Sequence, residues 1–133
     1  MKLIFCLDTE RGISFFGKRQ SRDKYLCDDI IADCADGVLE MSEYSAKIFA
    51  PHHVSIQEIP TMSERSTYFC EIKNPKEYVG YADEVVIYNW NRHYPSDIKF
   101  DADMGELGFA LISKSDLVGH SHEKITKETY KRV

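Results

Sequence analysis

The sequence has no long apolar run and no excess of positive charge. Its longest apolar runs, residues 3–7 and 85–88, fall far short of the ~20 residues that a membrane-spanning helix needs. We therefore expect no membrane segment, and we expect no signal peptide because charged residues from Asp8 onward end the first run. A formal net charge of -5 argues against extended nucleic acid as a partner, because its binding needs a basic face that neutralises phosphates.

Paired cysteines are lacking as well. Cys6, Cys27, Cys34 and Cys70 lie in segments of periodic apolar residues, and none of them forms a C-x-x-C pair. This pattern predicts buried free thiols in a reducing compartment, and therefore a cytoplasmic protein. A hydrophobic content of 43% with 12% aromatic residues is enough for a hydrophobic core, which argues against a disordered chain.

Sequence signatures of the strongly marked enzyme classes are absent. The chain has no nucleophile elbow, Walker loop, G-x-G-x-x-G motif or H-E-x-x-H motif. His120 and His122 are spaced so that, in a strand, both would lie on one face and could chelate a metal. No pattern of cysteine or aspartate elsewhere supplies further ligands, so we predict neither a metal site nor a cofactor.

Apolar periodicity predicts one domain of the α/β class, in the broad sense that includes α+β, over residues 1–133. We expect a mixed, mostly β sheet of about six or seven strands, because predicted strands far outnumber the two main helices. The predicted strands are residues 2–7, 38–41, 54–59, 67–72, 84–90 and 109–113. Residues 124–130 fit either an edge strand or a helix.

Two segments have the apolar spacing and the capping residues of helices. The first follows Ser21, its predicted N-cap, repeats an apolar residue every four positions, and ends at Gly37. The second and shorter helix covers residues 43–49 and begins after Ser42. These segments are the two main helices of the prediction.

A first polar segment lies where the predicted loop enters the first helix. It contains Arg19, Gln20, Ser21 and Arg22. Free backbone N–H groups and the helix dipole favour an anion at such a junction. Arg19 and Arg22 would add forked donors that match a phosphate or a carboxylate. The alternative is a capped and solvated first turn.

A second polar segment follows the strongest predicted strand. It contains Asn91, Arg92, Tyr94 and Asp97, and it is expected at the carboxyl edge of the sheet, where open α/β sheets bind ligands. Tyr94 or Trp90 could stack on a base. The alternative is that both aromatic residues are core anchors.

A third polar segment contains Ser121, His122 and Lys124. These side chains could bind a phosphate directly. Alternatively, His122 could act as acid and base while Lys124 stabilises the charge of an oxyanion. A hydrophilic hairpin turn without a ligand is the third interpretation.

The order of these elements resembles that of dihydrofolate reductases. Residues 2–7 resemble the opening strand of that family, and Gly12 resembles its glycine-bearing loop. Residues 83–97, with the sequence DEVVIYNWNRHYPSD, resemble a late strand that runs into a loop. The resemblance covers the chain at the level of element order, and it implies the fold and the position of a pocket. The paired-glycine turn that helps to seat the nicotinamide cofactor in that family has no counterpart before Asp83.

Three runs, KRQSRD, WNRHYPSD and SHEKITKE, also resemble a group of small uncharacterised bacterial and phage proteins. Some members of that group are labelled ribonuclease Z. The metal motif of that enzyme is H-x-H-x-D-H, whereas here His120 and His122 are followed by Glu123 and Lys124. The metal motif is therefore incomplete in this chain.

Three functions stay open from the sequence. We predict a binding protein for a small anionic, nucleotide-like ligand, whose phosphates Arg19, Arg22, Arg92 and Lys124 would hold. Size and resemblance extend this prediction to a phage or mobile-element factor that sequesters a host signalling nucleotide in counter-defence. The alternatives are a metal-independent phosphodiesterase or nuclease-like enzyme that uses His122, and a protein–protein inhibitor. A homo-oligomer is also possible from the sequence.

Overall fold

A mixed seven-stranded β-sheet forms the centre of the molecule in a computed structural model that describes residues 1–133. In chain order, the strands are β1 Lys2–Leu7, β2 Gly12–Phe15, β3 Lys18–Arg19, β4 Val38–Met41, β5 Ser55–Ile56, β6 Ser66–Phe69, β7 Glu84–Asn89, β8 Ile98–Lys99, β9 Phe109–Leu117 and β10 Ile125–Arg132. The helices are α1 Lys24–Asp33, α2 Glu43–Ala46, which continues as a 3₁₀ turn over Lys47–Phe49, and α3 Lys76–Val79. None of these helices is long and apolar enough to cross a membrane.

The strands of the main sheet lie in the order β5-β4-β6-β1-β7-β10-β9. β1 pairs in parallel with β6 and β7, whereas β10 runs antiparallel to both β7 and β9. The three short strands β3, β2 and β8 form a second, antiparallel sheet. This α+β architecture with its mixed sheet confirms the predicted fold class.

Apolar side chains lie on both faces of the central strands β1 and β7, which are therefore buried on both sides. On one face, Leu3 and Phe5 pack with Phe100 in a cluster of 15 buried residues. On the other face, Ile4 packs with Leu26 of α1 in a cluster of 12 buried residues. The apolar face of α1 thus fixes this helix against the sheet, and its first turn lies beside the loops that follow β1 and β7.

The first helix begins later than predicted. Its N-cap is Asp23, whose carboxylate accepts hydrogen bonds from the backbone N–H groups of Tyr25 and Leu26. Ser21 instead directs its hydroxyl to His122. The helix ends at Asp33, and Gly37 lies in the turn that follows, where its N–H donates to the Cys34 carbonyl. The prediction of Ser21 as the cap was wrong because two capping residues stood two positions apart and only tertiary contacts distinguish them.

The observed bounds of several strands differ from the predicted ones, because pairing with neighbouring strands determines where each strand begins and ends. The strand predicted over residues 54–59 is limited to Ser55–Ile56, because only these residues pair with β4. The ambiguous tail forms the strand β10, Ile125–Arg132, because this segment fits between β7 and β9 and so satisfies its backbone groups on both sides. Ile98–Lys99 was not predicted, and it has only the short pairing with β2. All four cysteines are free, and Cys27 and Cys70 are buried.

Candidate functional site

The three polar segments singled out in the sequence meet at one place in the fold. β1 and β7 are parallel neighbours, so their carboxyl ends lie together, and Asp8 and Trp90 follow these ends directly. The loop before α1 reaches the same place through Ser21, and the loop before β10 reaches it through His122. Side chains from four separate parts of the chain therefore converge at the carboxyl edge of the sheet.

His122 is the centre of this convergence. We refer to Ser21, Asp23, Trp90, Tyr94 and His122 as the His122 cluster. The Nδ1 atom of His122 lies 2.9 Å from Oδ2 of Asp23. Its Nε2 atom lies 3.0 Å from the Tyr94 hydroxyl and 3.1 Å from the Ser21 hydroxyl. The Trp90 indole stacks on the imidazole with 4.6 Å between ring centroids, and the histidine is only 4% exposed.

Asp23 determines that the Nδ1 atom of His122 carries a hydrogen. Burial by itself would raise the pKa of the Asp23 carboxyl, but hydrogen bonds from the His120 backbone, the His122 ring and the Ser121 backbone hold it well below its usual range. The carboxylate is therefore ionised and can only accept. Consequently Nδ1 of His122 carries a hydrogen, whereas Nε2 faces the hydroxyls of Tyr94 and Ser21, which also lie 3.4 Å from each other.

Asp23 also occupies the anion position at the start of α1. The sequence predicted that the helix N-terminus would bind the anion of a ligand. In the structure, the chain's own carboxylate accepts from the backbone N–H groups of Tyr25 and Leu26 there. An external anion must therefore bind beside this position, and side chains rather than the helix N-terminus must hold it.

A second buried carboxylate lies next to the His122 cluster. Asp8 is 1% exposed, and with Glu10, Gly12, Gln20 and the backbone of Tyr94 it forms what we call the Asp8 cluster. Its Oδ1 accepts from the N–H groups of Glu10 and Gly12, both at 2.8 Å. Its Oδ2 accepts from the Tyr94 N–H at 3.1 Å and from the Gln20 side chain at 3.2 Å.

Electrostatics again favour the charged form of this carboxylate. Burial by itself would raise the pKa of Asp8, but the hydrogen bonds from the Gly12, Tyr94 and Glu10 backbone and from Gln20 lower it below its usual value. The Oε1 atom of Gln20 is buried without a partner. Tyr94 belongs to both clusters, because its N–H donates to Asp8 while its hydroxyl lies against His122.

The Arg19 guanidinium is paired with residues outside both clusters. Its guanidinium forms a two-point ion pair with Glu71, at 2.6 and 3.1 Å, and it also donates to the Tyr44 carbonyl. The Tyr44 ring lies 4.2 Å from the guanidinium carbon. Because the Glu71 side chain is only 7% exposed, this pair is an internal link between β3 and the chain after β6.

An open groove with a volume of about 380 Å³ runs along the start of α1. Its lining residues are Arg22, Asp23, Lys24, Cys27, Ile48, His120 and Ser121. Neither Arg22 nor Lys24 has a carboxylate within ion-pair distance. Burial raises the pKa of the Cys27 thiol to about 12, and nearby Glu71 adds to this effect, so the thiol is neutral. The groove thus offers two unpaired cations beside a small apolar patch.

Other predicted site residues hold loops in the structure. The Asn91 amide donates to the Lys124 carbonyl and to the Thr126 hydroxyl, and the Asp97 carboxylate accepts from the Phe16 N–H. The Lys124 ammonium lies 4.0 Å from Asp116. The Arg92 side chain is exposed, and its carbonyl accepts from the Thr9 N–H. None of these four side chains lines the groove.

The two histidines of the third segment do not share a face. Residues 120–123 form bends rather than a strand, so the spacing argument for a chelating pair does not apply. His120 is exposed and lies edge-on to Tyr25, with ring centroids 5.1 Å apart, whereas His122 is buried. No group of three or more His, Cys, Asp and Glu side chains is arranged to hold a metal ion.

Sequence reasoning missed Asp8 and the functional position of Asp23. Asp8 follows a buried strand directly, and that placement alone signals a carboxylate at the carboxyl edge of the sheet. Asp23 directly follows the first polar segment, and only the alternative interpretation of that segment, a capped and solvated first turn, took account of it. Lys24 and His120 were also missed, since nothing in the sequence shows that the two loops containing them face one groove.

The fold belongs to a known structural class, that of dihydrofolate reductase. No protein-family model matches the chain, and no curated protein does. Among solved structures, the chain is similar to a dihydrofolate reductase from Enterococcus faecalis complexed with NADP(H) and RAB-propyl. The TM-score is 0.70 at 12% sequence identity, and the match covers 98% of this chain and 95% of that chain. At this identity the similarity establishes the fold alone.

The residues at the carboxyl edge do not fit NADP(H). At this edge β7 continues into Trp90, which is 4% exposed and stacks on His122. The cavity that Trp90, Ser21 and Gln20 help to line there has a volume of about 10 Å³. Such a cavity holds about one water molecule. A cavity of this size is too small for a nicotinamide ring.

Proposed function

We propose that the chain binds a small anionic, nucleotide-like ligand in the groove beside α1. The single observation that carries this proposal is the pair of unpaired cations, Arg22 and Lys24, in a groove of about 380 Å³. Both side chains are exposed and have no carboxylate within ion-pair distance, so both are free to contact an anion in the groove. A guanidinium and an ammonium in one groove supply the forked and point-charge donors that phosphates and carboxylates accept.

The groove also supports a ligand of limited size with an aromatic or apolar part. Its volume lies at the lower end of the range for small-molecule sites, which suits a ligand of about mononucleotide size. Cys27 and Ile48 supply the apolar wall. Trp90 is unavailable for stacking on a base because it is buried against His122, whereas Tyr25 is 47% exposed and lies beside His120 at the groove.

The biological setting that we propose is sequestration of a host signalling nucleotide by a phage or mobile-element factor. Small size and the three sequence runs that resemble bacterial and phage proteins support this setting. A measurement of free nucleotide in the host tests it directly: expression of the chain should lower the free concentration of one signalling nucleotide. An unchanged free concentration of every such nucleotide would contradict it.

The ligand class is tested by thermal shift of the purified chain against nucleotides, cyclic oligonucleotides, ADP-ribose derivatives and NADP(H). A ligand at ~100 times its dissociation constant adds ~2.7 kcal/mol of stability. This corresponds to a rise of several degrees in Tm for a chain of this length. Mass spectrometry of each hit after incubation shows whether the ligand is recovered intact.

Variants of the two cations make the test specific. Loss of a hydrogen bond to a charged group costs ~1.5–3 kcal/mol, so Arg22→Gln with Lys24→Gln should weaken the best ligand at least ~10-fold. Lys114→Gln is the matched control, because Lys114 is an exposed lysine of β9 outside the groove. If the Lys114 variant weakened the ligand as much as the Arg22 and Lys24 variant, the effect would be one of general charge, and this result would contradict the groove as the binding site.

A further inference from the structure

The His122 cluster aligns a hydroxyl, an imidazole and a carboxylate. Ser21 Oγ lies 3.1 Å from Nε2 of His122, and Nδ1 of the same ring lies 2.9 Å from Oδ2 of Asp23. His122 and Asp23 are only 4% and 2% exposed, so water does not compete for these contacts. A serine whose hydroxyl contacts one ring nitrogen of a histidine, while a buried carboxylate holds the other nitrogen, has the geometry of an activated nucleophile.

We propose that Ser21 is a nucleophile that accepts an acyl group from a carboxylic ester of the anionic ligand. In this proposal His122 is the general base and Asp23 is a positioning residue. The assignment of the substrate's anionic part to Arg22 and Lys24 rests on the proposed function, whereas the reaction at Ser21 rests on the geometry of the cluster.

The reaction is balanced within these residues and water. Ser21 Oγ attacks the ester carbonyl carbon while His122 Nε2 takes the hydroxyl proton. The carbon–oxygen bond to the leaving alcohol then breaks, and the same proton passes from Nε2 to that oxygen. A water molecule next attacks the acyl-serine ester, gives a proton to Nε2 and releases the carboxylic acid. The proton returns to Ser21 Oγ, so the net reaction is ester hydrolysis.

The surroundings of Ser21 limit the acyl group to a small one. The adjoining cavity, lined by Ser21, Cys27, Trp90 and others, has a volume of only about 10 Å³, which is room for a water molecule. Arg22, Asp23, Cys27 and Ile48 line both this cavity and the groove, so the two spaces are neighbours. A formyl or acetyl ester whose larger, anionic part lies in the groove therefore suits the site better than a long-chain ester.

The backbone at Ser21 also leaves donors for a developing oxyanion. The N–H groups of Ser21 and Arg22 donate to no acceptor within the chain. Backbone N–H groups at the nucleophile are common donors to the negatively charged oxygen of the tetrahedral intermediate.

The experiment uses the full chain and p-nitrophenyl acetate, a small activated ester. We expect a burst of nitrophenolate that approaches one equivalent per chain, followed by slower release. Peptide mapping of the quenched protein should find the acetyl group on Ser21 and not on Ser121, the neighbouring serine on the Nδ1 side of the ring. Acetyl groups on lysines alone would overturn the proposal, and this result does not depend on the folding of any variant.

Substitutions in the His122 cluster test the role of each residue separately. Ser21→Ala should abolish the burst, and Asp23→Asn should slow it at least ~100-fold while the helix cap is retained. Ser115→Ala, an exposed position of β9, should leave the burst unchanged. A burst that persists in a folded Ser21→Ala variant, as judged by circular dichroism, would overturn the proposal.

The outcomes also separate this inference from the proposed ligand class. Acetylation of Ser21 without stabilisation by any anion would support the nucleophile and contradict the ligand class. Stabilisation by a nucleotide-like anion with no acetyl group on Ser21 would contradict the nucleophile alone.

Discussion

The two buried aspartates at the carboxyl edge have similar settings and different partners. Asp8 and Asp23 are 1% and 2% exposed, each accepts several backbone N–H groups, and each has a lowered pKa. The Asp8 carboxylate accepts from the Gln20 amide, and the exposed His93 ring lies 3.8 Å from it. The Asp23 carboxylate accepts instead from Nδ1 of the buried His122 ring. Burial and a lowered pKa are thus common to both carboxylates, whereas only Asp23 is hydrogen-bonded to a buried imidazole.

The Asp8 cluster joins loops, whereas the His122 cluster positions a base. Asp8 connects the turn after β1 to the backbone of Tyr94, two segments 86 residues apart in the chain. Asp23 connects the start of α1 to the loop before β10 and at the same time sets the tautomer of His122. Tyr94 links the clusters, so a disturbance of the Asp8 cluster is expected to reach His122.

The largest effect is expected from Asp8→Ala. This change removes the acceptor of three backbone N–H groups and one amide, and a buried donor without an acceptor costs ~1–3 kcal/mol. We expect a loss of about 3 kcal/mol or more in the free energy of unfolding, measured by urea denaturation. Asp97→Ala is the control, because exposed Asp97 accepts from one N–H only, that of Phe16, and should cost less than ~1 kcal/mol. Similar losses for the two variants would contradict the structural role of Asp8.

Gly119→Ala should disturb the His122 cluster directly. A Cβ atom at Gly119 would lie 2.6 Å from the His122 carbonyl oxygen and 2.7 Å from Oδ2 of Asp23. Both atoms are held in place, so relief requires a backbone shift, and we expect a loss of about 2 kcal/mol. The same denaturation measurement applies to Gly80→Ala, where a Cβ meets nothing within 4 Å and φ is -61°. That control should be neutral or stabilising by up to ~1 kcal/mol, and an equal loss at both sites would be inconsistent with the close approach.

The pH dependence of stability should distinguish the charge of Asp23 from its capping role. Its pKa is lower in the folded state than the ~3.9 of an unfolded aspartate, so its stabilisation is present above pH ~4 and is lost as pH falls below that value. Asp23→Asn keeps the cap but removes this titration. We expect a loss of about 1.5 kcal/mol at pH 7, since a charge-assisted hydrogen bond is worth roughly that much. The difference from the unmodified chain should shrink at acid pH, and parallel curves from pH 7 to 3 would contradict the assignment.

The sequence predicted the sheet well because the strands of its centre are marked locally. Continuous apolar residues in β1 and β7 identify strands buried on both faces, and Val38–Met41 was predicted with its observed bounds. The ambiguity of residues 124–130 could not be resolved locally. Their Lys and Glu residues fit a helix as well as a strand, and only pairing with both β7 and β9 in the sheet determines that they form a strand.

The site was predictable as a set of segments and not as a set of contacts. His122 and Ser21 were singled out, but the contact between them joins residues 101 positions apart, which no local pattern encodes. Arg19 also shows that a local sequence pattern does not identify the partner of a side chain in the fold. Its residue type and position favoured an anion, and the carboxylate that it meets in the fold is Glu71 of the same chain.

The smallest effect is expected from Tyr94→Phe, which separates the two clusters. The change removes the hydroxyl at Nε2 of His122 but keeps the backbone N–H that donates to Asp8. We expect a loss of ~1 kcal/mol or less, because one neutral hydrogen bond is removed and Ser21 remains as a partner of the same nitrogen. Nuclear magnetic resonance should show a changed His122 ring nitrogen shift, while hydrogen exchange of the residue 94 amide stays slow. Because that amide reports on the Asp8 cluster alone, faster exchange would mean that the tyrosine hydroxyl stabilises both clusters and that they are not separable.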